Sequence, residues 1–256
     1  MKLATWNVNS IRVRLPQVLE WLKKEDPDVL CLQETKITDE EFPAAAFHDA
    51  GYHAVYTGQK TYNGVATLSR VPAADVVTSL AGADGTQKRL LAATVNGVRT
   101  VNAYIPNGEQ VGSDKYAYKL AWLAALDKYL ARELKTHSRL ALLGDYNIAP
   151  EERDVHDPKL WEGRVLFSDK ERAAFQRLIQ RGLVDVFRQF EQPEKSFSWW
   201  DYRAAGFRRN HGLRIDHILC SPALASECRS CSIDVEPRKH ERPSDHAPVV
   251  ARFQAV

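Results

Sequence analysis

The amino-acid sequence predicts an α+β fold in which two packed β-sheets are covered on their outer sides by helices. Short apolar or alternating runs recur along the 256 residues, each bounded by Gly, Asn, Pro or charge, as strands are. Only a few amphipathic helical patterns sit between them, so strands follow strands too often for strict β–α–β alternation.

The strand runs, in order, are KLATWNV (2–8), DVLCLQ (28–33), GVATLS (64–69), RLLAATV (89–95), VRTVNAYI (98–105), RLALLG (139–144), RIDHILC (214–220) and PVVARF (248–253). A first helix is predicted over RLPQVLEWLKKE (14–25), where Leu15, Val18, Leu19 and Leu22 share one face. A second is predicted over 116–137, with Leu120, Leu123, Leu126, Leu130 and Leu134 as its apolar stripe. The third has a readable start and stop: Ser168 and Glu171 form an S-x-x-E capping box, Phe175, Leu178 and Ile179 make the buried face, and Gly182 closes it.

No linker, repeat or low-complexity segment divides the chain, so one domain over 1–256 is expected. The N-terminus, MKLATWNVNS, has no long apolar run and so predicts neither a signal peptide nor a membrane span. Cys31, Cys220, Cys228 and Cys231 do not make a disulfide scaffold, and the lone C-x-x-C lacks a second ligand pair; reduced thiols and a cytoplasmic location are expected. A net charge of +2 is too mild to declare a nucleic-acid binder. Its distribution says more. FSWWDYRAAGFRRNHGLR (197–214) interleaves Trp199, Trp200, Tyr202 and Phe207 with Arg203, Arg208, Arg209 and Arg214. That pattern suits a surface that follows phosphates and stacks on bases, and equally suits a loop whose aromatics are core.

Polar groups punctuate the apolar strands. Asn7, Glu34, Tyr104, Asp145 and Asn147 fall at or just beyond strand ends, Asp216 lies inside RIDHIL, and Asp245 and His246 precede the last strand. Singly, the amides and Asp145 read as turn residues and His246 or Tyr104 as packing. Together they would place several carboxylates in one pocket, and these cannot all stay ionised without a counter-ion. A hard divalent cation such as Mg²⁺ takes such oxygen ligands and leaves room for a phosphate. The chain has no G-x-x-x-x-G-K-[ST] loop, so metal-assisted attack on a phosphate ester is expected rather than nucleotide-triphosphate hydrolysis.

WNVNS, LQETK, GVATLSR, GDYNIAP, FSWWDYR, GLRIDHIL and PSDHAPV, in this order and across the whole chain, resemble the successive motifs of the exonuclease III family. These are DNA-repair nucleases of the deoxyribonuclease I-like endonuclease/exonuclease/phosphatase superfamily. The resemblance implies a four-layer α/β/β/α sandwich of two mixed sheets, with the site at one edge. It implies Mg²⁺, with Mn²⁺ as a substitute, and a monomer acting on double-stranded DNA with abasic sites, nicks or blocked 3′ ends, with no membrane involved.

Carried over by motif, Glu34 is the principal metal ligand, Asn7 shapes the metal and phosphate site, and Asp245 lies near a second metal position. Asp145 would orient and deprotonate water, and Asn147 would position it or a phosphate oxygen. His246 would donate to a non-bridging oxygen, with Asp216 holding its ring, and Tyr104 would approach the phosphate or the leaving oxygen. Trp199, Leu213 and Ile215 would form an apolar pocket for a baseless sugar. Arg89, Tyr62, Asn63, Lys115 and Lys119 are candidate strand contacts, as is Arg209 of the arginine-rich segment.

Leu166 departs from the family, whose abasic-site endonucleases tend to carry a small or short polar residue there. A leucine would crowd a strand continuing past a lesion while leaving room for a frayed 3′ end. The expected activities are therefore 3′–5′ exonuclease and 3′-end-cleaning phosphodiesterase, with incision 5′ to abasic sites dependent on Leu166. A phosphatase of non-DNA substrates would share the metal site without the FSWWDYR and GLRID surroundings. A catalytically silent DNA-binding module would lack a member of the Glu34, Asp145, Asn147, Asp216 and His246 set, and none is missing.

Overall fold

The computed structural model describes residues 1–254. In chain order they form β1 (Lys2–Asn7), α1 (Ile11–Glu25), β2 (Val29–Gln33), α2 (Ala44–Asp49), β3 (His53–Thr57), β4 (Val65–Ser69) and β5 (Ala74–Val77). There follow β6 (Leu90–Val95), β7 (Val98–Tyr104), α3 (Asp114–Thr136), β8 (Leu140–Asp145), α4 (Pro158–Trp161), α5 (Asp169–Gln180) and β9 (Val184–Asp185). The rest are β10 (Trp199–Trp200), β11 (Gly212–Leu213), β12 (Asp216–Cys220), α6 (Pro222–Ser226), β13 (Cys228–Ile233) and β14 (Val249–Phe253).

One sheet runs β13-β14-β1-β2-β4-β3 and the other β5-β6-β7-β8-β12-β9, with β10 and β11 as a separate ribbon. Each six-stranded sheet is mixed: β1–β2 and β7–β8 are parallel, and the remaining pairs are antiparallel. Strand alternation then sorts side chains by layer. Leu3, Val29, Ala141, Leu143, Ile218 and Val249 meet between the sheets. Ala4, Trp6, Leu30 and Leu68 face outward against Val18, Trp21 and Leu22 of α1 and Phe47 of α2. On the far side Val101, Leu140 and Leu142 lie under Trp122 and Leu126 of α3 and Phe175 of α5. The layers run helix, sheet, sheet, helix, as expected.

The helix ends are set locally. Ser10 accepts from the Val13 N–H, Ser113 from the Tyr116 N–H, and the Ser168/Glu171 capping box closes reciprocally. The first helix begins at Ile11, earlier than its apolar stripe, because the Ser10 cap sits before that stripe. The strand expected over 214–220 begins only at Asp216, because Arg214 turns aside into a buried ion network. Strands β3, β5, β9 and β13, at the sheet edges, and the β10–β11 ribbon lie outside the expected runs, being short or polar. Among the described residues no helix is long and apolar enough to cross a membrane.

Candidate active site at the open ends of the sheets

The layer between the sheets is apolar at one end and polar at the other. Along β1, the inward face passes from Leu3 through Thr5 to Asn7; along β8, from Ala141 and Leu143 to Asp145. Antiparallel β12 enters at the same edge with Asp216. Register then fixes neighbours, with Tyr104 beside Asp145 and Asp145 opposite Asp216. A buried Leu or Ile contributes about 1.5–3 kcal/mol, so the apolar end can hold the sheets together while the rim stays polar. Gly144 permits the close approach just before Asp145: a Cβ there would lie 1.8 Å from the Ala103 carbonyl oxygen.

Asp145 is gripped on both oxygens. Asn7 Nδ2 donates to Oδ2 at 2.9 Å, the Asn147 N–H to Oδ1 at 2.9 Å, and His246 Nε2 stands 3.6 Å from Oδ2. Across the ring, His246 Nδ1 donates to Asp216 Oδ2 at 2.8 Å. Ser198 Oγ accepts the Ile215 and Asp216 N–H groups, and Ser244 Oγ donates to the Asn7 carbonyl while accepting the His246 N–H. Burial raises the Asp145 pKa to about 7, with Asp216 and Glu34 adding repulsion against the pull of His246 and Asn7. Burial opposes charge on His246, but Asp216 and Asp145 facing its two nitrogens outweigh that and raise it to about 10. The ring is therefore held protonated by the two acids that it faces.

Glu34, which leaves β2 at a left-handed φ of 52°, accepts from the Tyr104 hydroxyl and lies 3.7 Å from Lys36 Nζ. Burial and the Glu34 charge push the Tyr104 phenol well above its ordinary value, so it is a neutral donor. Arg89 lies over the Tyr104 ring, 4.7 Å from its centroid. These groups line a cavity of about 630 Å³ together with Tyr62, Asn63 and Lys115.

Asp145, Asp216 and His246 bring three ligand-type atoms within 4.8 Å of one another. Here His246 Nδ1 is bonded to Asp216 and Nε2 faces Asp145, so the ring holds a proton between the two acids. Glu34 opens on the cavity, and its charge joins burial and Asp216 in raising Asp145. An oxygen-rich donor set of that charge fits a hard divalent cation.

Other expected residues divide. Trp199, Leu213, Ile215 and Leu166 do form one apolar cluster with Ala149, Val155 and Phe167. Leu166 is buried in it at φ 77°, and Trp199 is the half-buried member. Asp245 accepts from Trp199 Nε1 (2.9 Å) and Asn9 Nδ2 (3.1 Å), so it anchors the pocket wall. Lys119 is wholly buried against Glu171 and so lies beneath the site, not on a strand-binding surface. Arg214 is likewise buried, paired with Asp154 and Asp185. In the aromatic segment Trp200 is core, and Tyr202 and Arg209 are exposed.

The geometry adds residues that the sequence reading passed over. Asn9 bridges the two halves of the rim, accepting from Lys36 Nζ at 2.6 Å and donating to Asp245. Asn107 donates to Asn147 Oδ1 at 3.3 Å. Asn9 and Lys36 stood inside WNVNS and LQETK, but nothing in a turn amide or a lysine marks it as a bridge.

Comparison with known proteins agrees with this geometry. A profile described as the Endonuclease/Exonuclease/phosphatase family matches residues 4–246. Exodeoxyribonuclease III of Haemophilus influenzae is 38% identical over 267 aligned positions, covering 99% of this chain and 100% of the relative. Among solved structures, the 3′ phosphatase NExo from Neisseria, bound to a product DNA hairpin, superposes with a TM-score of 0.98 at 49% identity, with each chain covered fully. An AP endonuclease from Archaeoglobus fulgidus gives 0.96 at 42% identity, again with full coverage of each chain.

Proposed function

Because the chain belongs to the Endonuclease/Exonuclease/phosphatase family, we propose that it is a Mg²⁺-dependent DNA-repair phosphodiesterase of exonuclease III type. It trims duplex DNA 3′ to 5′ and cleans blocked 3′ ends. The observation that carries this reading is the Asp216–His246–Asp145 chain with Asn7 and Asn147 bonded to Asp145, set at the edge of two rigid sheets.

Glu34, with Asn7 close by, would hold the cation, which when bound neutralises charge gathering on the phosphoryl oxygens. Asp145 takes the proton of the attacking water, and two amides fix the direction of its lone pairs. His246, kept charged by the carboxylates on either side, donates to a non-bridging oxygen. Asp216 holds the ring in place. Tyr104, a neutral phenol, donates toward the phosphate. Arg89, Tyr62, Asn63 and Lys115 line the cavity along which a strand would leave.

Relatives that include a 3′ phosphatase with a DNA hairpin and an AP endonuclease support the proposed substrates: nicks, blocked 3′ ends and abasic sites in double-stranded DNA. Leu166, packed against Leu213 and Ile215, tilts the balance toward ends. The protein works as one domain and as a monomer; its free cysteines suit the cytoplasm. A pair of labelled duplexes tests the balance, one with an internal abasic analogue and the other with a nick and a blocked 3′ end. Faster processing of the blocked end is expected, and equal rates would remove Leu166 from the account.

A further inference from the structure

The most buried ion pair beside the site has no place in the chemistry above. Lys119 and Glu171 are both fully buried. Lys119 Nζ spends its donors on Glu171, on the Asn147 carbonyl (2.6 Å) and on the Asn107 carbonyl (3.1 Å). Glu171 accepts from the Leu166 N–H (3.0 Å), the Ser168 N–H (3.1 Å) and the Ser168 hydroxyl (2.5 Å). One salt bridge thus ties together the turn bearing Asn147, the loop bearing Asn107 and the segment bearing Leu166. Two of these backbones are left-handed at non-glycine residues, Asn147 at φ 50° and Leu166 at φ 77°. Such conformations cost about 1–3 kcal/mol each and persist only where the surroundings over-determine them.

An apolar pair of similar volume often replaces a buried ion pair without loss of stability, so stability alone does not explain this one. Its distinctive product is the position of three irregular segments. We infer that Lys119 and Glu171 are positioning residues that set the catalytic turn at Asn147 and the pocket wall at Leu166 from one hub, so that water alignment and end preference are fixed together. Neither residue touches the substrate. The inference rests on the nuclease reading above.

The test is Lys119→Met with Glu171→Leu, compared with wild type on the blocked-3′-end duplex in Mg²⁺. A misplacement near 1 Å costs roughly 10²-fold in rate, so kcat should fall by about that factor while KM stays within about threefold and thermal unfolding stays cooperative. The ratio of internal abasic incision to end removal should shift as well. A folded double variant with wild-type kcat and an unchanged ratio would overturn the inference. Should that variant not fold, Glu171→Gln reads the same quantity. With its oxygen kept toward Lys119 and the Leu166 N–H, its amide nitrogen faces the Ser168 N–H, two donors opposed; an altered substrate ratio supports the hub and an unaltered one refutes it. Wild-type protein inactive on both duplexes would sink the nuclease reading instead, and the two failures are thereby distinct.

Discussion

His217 follows Asp216 in β12 and packs against Tyr146 and Phe175. It is fully buried, with Nδ1 3.1 Å from an Arg214 guanidinium nitrogen and Nε2 2.8 Å from the Ile148 carbonyl. A guanidinium only donates, so Nδ1 must accept and Nε2–H must donate, which fixes the neutral tautomer. Burial and the adjacent Arg214 charge hold its pKa down at about 4, against 6.5 ordinarily. The unfolded chain therefore binds a proton that the native protein refuses, and stability falls as pH drops from about 6.5 to about 4 and is flat above. From those two values the loss at pH 5 is about 2 kcal/mol. Glutamine can make both hydrogen bonds without titrating. His217→Gln gives up ring packing on Tyr146 and Phe175, whose centroids lie 4.9 and 5.1 Å away, worth about 1 kcal/mol. The variant should be the less stable protein at pH 7 and the more stable at pH 5, the two curves crossing at roughly pH 6. Urea unfolding across that range, with unchanged m, measures this. Parallel curves would refute the assignment of a neutral, buried His217.

Further outcomes follow from the same geometry. Asp145→Asn keeps an acceptor for the Asn147 N–H but removes the base, so DNA binding should persist in a gel-shift while cleavage drops by about 10²–10⁴-fold; retained turnover would take Asp145 out of the mechanism. Leu166→Gly relieves a left-handed leucine yet empties buried volume, for a net loss of about 1–3 kcal/mol. It should raise abasic incision relative to end trimming, and an unchanged ratio assigns Leu166 to packing alone. The four cysteines are buried, and burial lifts the Cys31 thiol to about 12. A colorimetric disulfide reagent should find almost no reactive thiol in native protein and all four after denaturation; rapid native reaction would contradict the packing of β2 and β13.

Much of this arrangement was legible because period-two strands carry their own orientation. Leu3, Thr5 and Asn7 share a face by spacing alone, and so do Ala141, Leu143 and Asp145; the polar punctuation of those runs marked the rim. The helix limits were readable where a capping box wrote them, as at Ser168 and Glu171. Lys119 misled because a lysine on an amphipathic helix ordinarily reaches water, and only tertiary contact reveals the buried Glu171 partner. The same holds for Arg214: a basic segment looks like a phosphate track until Asp154 and Asp185, distant in sequence, are brought against it. The part Asp245 plays in the pocket wall is hidden in the sequence because its partners Trp199 and Asn9 come from opposite parts of the chain.

The central claim is that the rim formed by Glu34, Asp145, Asp216 and His246 hydrolyses phosphate esters of DNA with a divalent cation. Its most direct test is a time course on one nicked duplex with a blocked 3′ end, run with Mg²⁺ and with EDTA. Release of the blocking group in Mg²⁺ and none in EDTA is the predicted result. An untouched duplex in Mg²⁺, alongside turnover of a soluble or lipid phosphate ester by the same preparation, would contradict it.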